Sequence, residues 1–259
     1  MKILLAGAGH MGGALLKGWL PRRRITVVEP KPAPWLRKET RVTLLSAIEG
    51  GRYDVCVVAL KPQILKTEAW RLRPIAEGGA LMVSIAAGTT IKSLATAWGN
   101  KARIVRSMPN LPGQIGKGIC ALYAGANVTA KDKTLATSLL AALGRTVWVA
   151  REGLIDSVTA VSGSGPAYVF LLVEALAAAA EKEGLPPAIA AQLARATITG
   201  AGALLDADPR TASELRISVM SPGGTTEAAL KVLMAKNGMA RLMARAVSAA
   251  NKRARELGA

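Results

Sequence analysis

Met1-Lys-Ile-Leu-Leu-Ala-Gly7-Ala8-Gly9-His10-Met11-Gly12-Gly13 is the stretch whose reading decides the fold. Its first six residues predict a short apolar strand. The glycines that follow open a helical run, Ala14 to Trp19. Strand, glycine turn and helix in that order give a G-x-G-x-x-G spacing its meaning. Gly7 permits the tight turn, Gly9 lets the backbone approach a pyrophosphate, and Gly12 lets helix and strand pack closely. The free N–H groups and positive end of the new helix favour phosphate charge. The segment is therefore read as a dinucleotide turn, with Gly7, Ala8, Gly9, His10, Met11 and Gly12 as its contact residues. A charged Lys2 followed by an apolar run also has the look of a leader peptide, but the glycines interrupt it.

Working outward, Arg24 to Val28 predicts a second strand that ends at Glu29. Glu29 lies twenty residues after Gly9, where a dinucleotide fold places an acid on the adenosine ribose. A carboxylate there favours NADH over NADPH, while Lys31 could offset part of the repulsion of a 2′-phosphate. Arg41–Leu45, Tyr53–Leu60, Ala80–Ile85, Ala102–Ser107, Gly118–Tyr123 and Arg145–Val149 complete a series of short apolar runs separated by helical stretches. The alternation predicts a mostly parallel, doubly wound sheet of the Rossmann type over residues 1-150. The run through Ala59 and Leu60 ends in Lys61 and Pro62, at the carboxyl end of a central strand.

After residue 150 the pattern turns wholly helical, with predicted helices over 153–161, 166–182, 187–205, 211–219, 226–236 and 239–257. Residues 151-259 thus form a second, all-helical C-terminal domain. Its first long helix is apolar nearly all round and must be covered. About 110 residues offer a limited core, so a second copy is expected to cover part of it, as a dimerisation domain.

Composition narrows the function. The 259 residues carry 34 Lys and Arg against 17 Asp and Glu, a formal +17. Such a field attracts anions. The basic residues are dispersed, with no zinc-finger spacing and no basic stripe interleaved with aromatics, so nucleic-acid binding is not expected. Cys56 and Cys120 fall in strand-like runs, as buried free thiols of a reducing, cytoplasmic compartment. One histidine and two distant cysteines exclude a metal site. The longest apolar stretch, Pro166 to Ala180, is too short for a bilayer and carries Glu174, so no membrane span is expected.

Two stretches of the helical half combine glycine with hydroxyls at a helix start: Val161-Ser-Gly-Ser-Gly-Pro-Ala167 and Ser221-Pro-Gly223-Gly224-Thr225-Thr226. A helix N-terminus with hydroxyl donors suits a small carboxylate, and ordinary capping explains the same residues without a ligand. Neither stretch holds the Lys or His that reduction of a ketone calls for. An imine is protonated beforehand, so hydroxyls without a strong base fit C=N reduction better.

The motifs Gly7–Gly12, Ala59-Leu-Lys-Pro-Gln63, Arg106-Ser-Met-Pro-Asn110, Ser162-Gly-Ser-Gly-Pro-Ala-Tyr168 and Ser221–Thr226 together resemble the Δ1-pyrroline-5-carboxylate reductases, over essentially the whole length. The resemblance implies reduction of 1-pyrroline-5-carboxylate to L-proline by NADPH or NADH. It implies a homodimer built through the helical domain, and members often assemble further, into decamers. It implies that Gly7 to Gly12, Ala59 to Pro62 and Ala86, Ala87 and Gly88 hold the dinucleotide, with Asn110 near the nicotinamide. Ser221, Gly223, Gly224, Thr225 and Thr226 would bind the pyrroline carboxylate, with the Thr226 hydroxyl on the ring nitrogen as the catalytic group. Glu152 matches a glutamate near the substrate, where a carboxylate would stabilise the iminium. An ordinary first-turn acid is the other reading of Glu152. His10, Met220, Pro112, Gly113 and Lys117 depart from the commoner pattern. A β-hydroxyacid dehydrogenase of the same two-domain plan is the alternative, but it would place a lysine within Ala167 to Glu181, where there is none. A dinucleotide-sensing protein without turnover is a third reading, which the hydroxyl-rich helix start disfavours.

Overall fold

Both faces of the central strands are apolar because both are covered, and the pleat divides their side chains between two cores. The computed structural model describes residues 1–258. Strand β1 (Ile3–Ala6) sends Ile3 and Leu5 to one face and Leu4 and Ala6 to the other. β4 (Val55–Val58) does the same with Val55 and Val57 against Cys56 and Val58. Continuous apolar runs of this kind belong to sheets buried on both sides.

In chain order the first half comprises β1, α1 (His10–Trp19), β2 (Ile25–Val28), α2 (Pro34–Arg37), β3 (Val42–Leu45), β4, α3 (Pro62–Glu68), α4 (Arg73–Glu77), β5 (Leu81–Ser84), α5 (Ile91–Trp98), β6 (Arg103–Met108), β7 (Gly118–Ala124), α6 (Ala130–Leu140) and β8 (Gly144–Trp148). The eight strands lie in the order β3-β2-β1-β4-β5-β6-β7-β8. The first six run parallel, which is the doubly wound order expected. β7 runs antiparallel to β6, and β8 parallel to β7. The reason lies in the connections. β6 and β7 are joined by a short 3-10 turn, Leu111–Ile115. A parallel return needs a crossover of a dozen or more residues. The link from β7 to β8 contains α6 and is long enough for one.

The strand order reverses between β1 and β4, so the crevice outside their carboxyl ends is where a ligand of this fold sits. Gly7 follows β1 directly, and Ala59 follows β4. One core face is filled by Leu15, Leu16 and Trp19 of α1 with Leu139 and Leu140 of α6; the other holds Leu65, Leu72, Ile75, Leu94 and Trp98.

The remaining helices are α7 (Leu154–Val158), continued by a π-helical turn at Thr159–Gly163, then α8 (Gly165–Lys182), α9 (Pro187–Ala207), α10 (Ala212–Ser218), α11 (Thr225–Leu233) and α12 (Met239–Gly258). The chain divides into two compact units. The first holds residues 1–164 with the last turns of α12 from Ala250 onward, and the second holds Gly165–Ala249. In the second unit α8 and α9 pack on each other. No residue of α8 is buried, and Phe170 and Leu171 are 52% and 63% exposed.

One expectation needs correction. The apolar run from Pro166 to Ala180 was expected to be too short for a bilayer, but it belongs to a longer helical segment. Leu154–Lys182 and Pro187–Ala207 are each long enough and apolar enough, by length and composition, to cross a membrane. The helical segment outruns the apolar run because Lys182 and the turns before Gly165 are also helical.

Candidate active site

The glycine turn is built by the absence of side chains. Gly7 sits at φ +92°, a region that β-carbon-bearing residues rarely adopt. A Cβ on Gly12 would lie 2.2 Å from the Gly7 carbonyl oxygen and 3.0 Å from the Ala59 Cβ. A Cβ on Gly9 would meet nothing within 4 Å, so the backbone there faces open space. Gly9 is the N-cap of α1, and no side chain caps the helix. Uncapped amides beside an open backbone fit a pyrophosphate.

Gly7, Ala8, Gly9, His10, Glu29, Ala59, Leu60 and Lys61 converge on one cleft of about 980 Å³. Glu29 reaches back into the turn: its Oε2 accepts the Ala8 amide at 2.9 Å, and its Oε1 accepts the Lys31 amide at 3.1 Å. The acid that sequence spacing assigned to the ribose therefore also holds the turn in place. Each carboxylate oxygen has two acceptor sites, so a ribose hydroxyl can share it.

The other assigned dinucleotide residues fall outside the lining of that cleft. Met11 packs against the core, and Pro62 opens α3 behind the Lys61 cap. The Ala86 amide donates to the Ser84 hydroxyl at 3.3 Å, and Gly88, at φ +66°, lies against the backbone of Leu257. Ala87 is half-buried between them. The Asn110 carboxamide oxygen accepts the Ile119 amide at 2.9 Å, bracing the β6–β7 turn.

Sequence reasoning missed Lys17, Trp35, Ile64, Gln114 and Ile115, which also line the cleft. Lys17 was legible: His10, Gly13, Ala14 and Lys17 recur at one helical face. Its ammonium lies 4.9 Å from the Trp35 ring centroid. Trp35 sits among Pro30, Pro32 and Pro34, where no periodicity marks it.

Glu152 belongs to the first unit. Its Oε1 accepts the Ile91 amide at 2.7 Å and the Arg106 guanidinium at 3.0 Å. The Ser162 hydroxyl donates to the Val158 carbonyl at 3.1 Å, inside the helical path, so that serine is spent on backbone. In the second unit Gly223, at φ +72°, turns the chain into α11. The Gly224 amide donates to the Ser221 carbonyl at 2.9 Å, and the Gly223 amide to Glu227 Oε2 at 2.6 Å. A Cβ on Gly224 would collide with the Ser221 hydroxyl at 2.4 Å. Gly224 caps α11 without a side-chain bond, which leaves the Thr225 and Thr226 amides unspent by any cap. Both free cysteines are buried in strands, and burial pushes each thiol up to about 12. Among the described residues no cluster of His, Cys, Asp and Glu could hold a metal.

Comparison with known proteins identifies the family. Residues 152–257 match the family model for pyrroline-5-carboxylate reductase dimerisation. The pyrroline-5-carboxylate reductase of Pseudomonas aeruginosa is 38% identical over 265 aligned positions, covering 99% of this chain and 96% of that one. The solved reductase of Coxiella burnetii is 35% identical with a TM-score of 0.91, covering 100% of this chain and 98% of its own. The Plasmodium falciparum enzyme, solved with NADP bound, is 27% identical with a TM-score of 0.82 over 100% of this chain and 98% of its own.

Proposed function

The chain belongs to the pyrroline-5-carboxylate reductase family, and from that premise we propose that it reduces 1-pyrroline-5-carboxylate to L-proline, the closing step of proline synthesis. What carries the reading is that the likeness runs through the glycine-turn cleft and the Ser221–Thr226 helix start alike. The residues around the cleft fit a dinucleotide, since the Gly9 backbone is open and α1 is uncapped.

When bound in the glycine-turn cleft, a reduced nicotinamide would supply the hydride. The ring nitrogen is basic enough to arrive protonated, so no strong acid is needed from the chain. As the imine carbon gains hydrogen, the C=N electron pair settles on nitrogen and a neutral amine remains. Thr226 is proposed to orient that nitrogen through its hydroxyl. Ser221, Gly223, Gly224 and Thr225 would hold the carboxylate, aided by the positive end of α11. Glu152 would stabilise the iminium by its charge.

Glu29 at the cleft favours NADH, and Lys17 and Lys31 on the same cleft leave NADPH a usable second donor. Residues 1-150 are proposed as the dinucleotide domain and 151-259 as the substrate and dimerisation domain, in a cytoplasmic homodimer that can build to a decamer. The exposed apolar faces of α8 and α9 are read as dimer surface rather than membrane span, and the +17 charge as an attractor of anionic substrate and cofactor. No nucleic-acid partner is proposed. The test mixes purified protein, 1-pyrroline-5-carboxylate and either NADH or NADPH, and follows nucleotide absorbance. Proline formation with faster NADH oxidation is expected. Oxidation of neither nucleotide would sink the assignment.

A further inference from the structure

We propose that Arg106 is a positioning residue for this reaction, acting through Glu152; the inference rests on Glu152 serving the iminium as proposed above. Arg106 lies in β6 and is 2% exposed. A cation so deep in a sheet is rare and costly unless it is paired. Here it is paired twice, Nη1 to Glu152 Oε1 at 3.0 Å and Nη2 to Asp156 Oδ1 at 3.4 Å. The two acids are four residues apart, one helical turn, on the stretch that enters α7.

The pairing is directional. Arg106 and the Ile91 amide, at 2.7 Å, both end on Oε1 of Glu152. Two donors on one oxygen fix the plane of the carboxylate and leave Oε2 to meet a further cation or donor. Ile91 opens α5, directly after the segment that contains Ala86, Ala87 and Gly88. One oxygen thus ties the carboxylate to that segment and to β6 together. Glu152 remains 27% exposed at its side chain, whereas the arginine that holds it is sealed. A purely structural cation would serve as well with both acids buried; this one presents a half-open carboxylate in a set direction.

The test uses the full-length protein as wild type, Arg106→Met, Arg106→Lys, Glu152→Gln and the Arg106→Met/Glu152→Gln double variant. It reads kcat and KM with 1-pyrroline-5-carboxylate, NADH affinity by fluorescence, and Tm. If Arg106 acts through Glu152, each single neutral variant loses about tenfold or more in kcat while NADH affinity stays within about twofold. The double variant then loses no more than the worse single, because groups that act as a unit are not additive. Arg106→Lys recovers part of the lost kcat. Should Arg106→Met fail to fold, with two carboxylates left uncompensated, the double and the Lys variants decide between the same two outcomes. Additive losses, or a Lys variant that regains Tm without kcat, overturn the proposal. So does a folded Arg106→Met with kcat within about twofold of an active wild type. A wild type inert with both nucleotides overturns the proposal together with the functional reading on which it rests.

Discussion

Gly12 has no room for a side chain, and that single fact ties fold stability to cofactor binding. In Gly12→Ala the new methyl would press on the Gly7 carbonyl and on Ala59 at once, forcing the turn away from β4. We expect a loss of about 3 kcal/mol, the upper range for overpacking. In a chain of this size that lowers Tm by roughly 6–12 °C, and NADH binding should be lost with it. A variant that kept wild-type Tm and affinity would show that the turn can relax. Thr226 is different: it starts a helix and no bond of the core depends on its hydroxyl. Thr226→Ala should therefore lower kcat by about tenfold or more while NADH affinity and Tm hold. Loss of nucleotide binding in that variant would mean that its role is misassigned. Both the Gly12 turn and Thr226 were legible as motifs. Arg106 was legible as a strand residue and as the start of the Arg106–Asn110 motif, but nothing in the local pattern says that β6 will meet Glu152 and Asp156, some fifty residues on.

At the scale of the element, α6 shows how a helix is anchored to the sheet. Thr129 accepts the Asp132 amide, and Asp132 accepts in return from the Thr129 amide at 2.9 Å and hydroxyl at 2.8 Å, a capping box. The Asp132 carboxylate also meets Arg103 of β6 at 2.6 Å. Burial alone would push this carboxyl up, but the Thr129 bonds and the Arg103 charge outweigh it and hold it below the usual 3.8. The sign of the linkage follows: a depressed carboxyl stabilises above its unfolded value and loses that contribution as pH falls through the folded one. Asp132→Asn should cost about 1 kcal/mol at neutral pH. The gap from wild type should close below about pH 4 in urea titrations. A gap unchanged at acid pH would assign the effect to packing. The capping spacing Thr129-x-x-Asp132 can be read from the sequence; Arg103 as its partner cannot, because the two meet only through the sheet.

For the whole molecule, the question is what covers the apolar helices. Phe170 and Leu171 of α8 and Leu193, Leu204 and Leu205 of α9 are all well exposed in the single chain. Fully burying one such side chain is worth about 1.5–3 kcal/mol, so a surface of this kind calls for a partner. Membership of a family with a dimerisation domain makes a second copy the expected partner. Light scattering on the eluting protein should give a dimer or a larger closed assembly. Phe170→Glu should shift it towards monomer and reduce turnover. A variant of unchanged mass would move the interface elsewhere.

The residues alone were enough to determine the order of the strands, the apolar strands of a doubly wound sheet, the glycine turn and the change to a helical second half. All of these are local: periodicity, turn chemistry and short spacings act within a few residues. Tertiary structure decided the rest. It reversed β7, because the link from β6 is too short to cross over. It turned Glu29 back onto Ala8, brought Trp35 over Lys17, and set Arg106 against Glu152 and the start of α5. Those contacts join residues far apart in the chain, and their energies exist only once the sheet has brought its strand ends together.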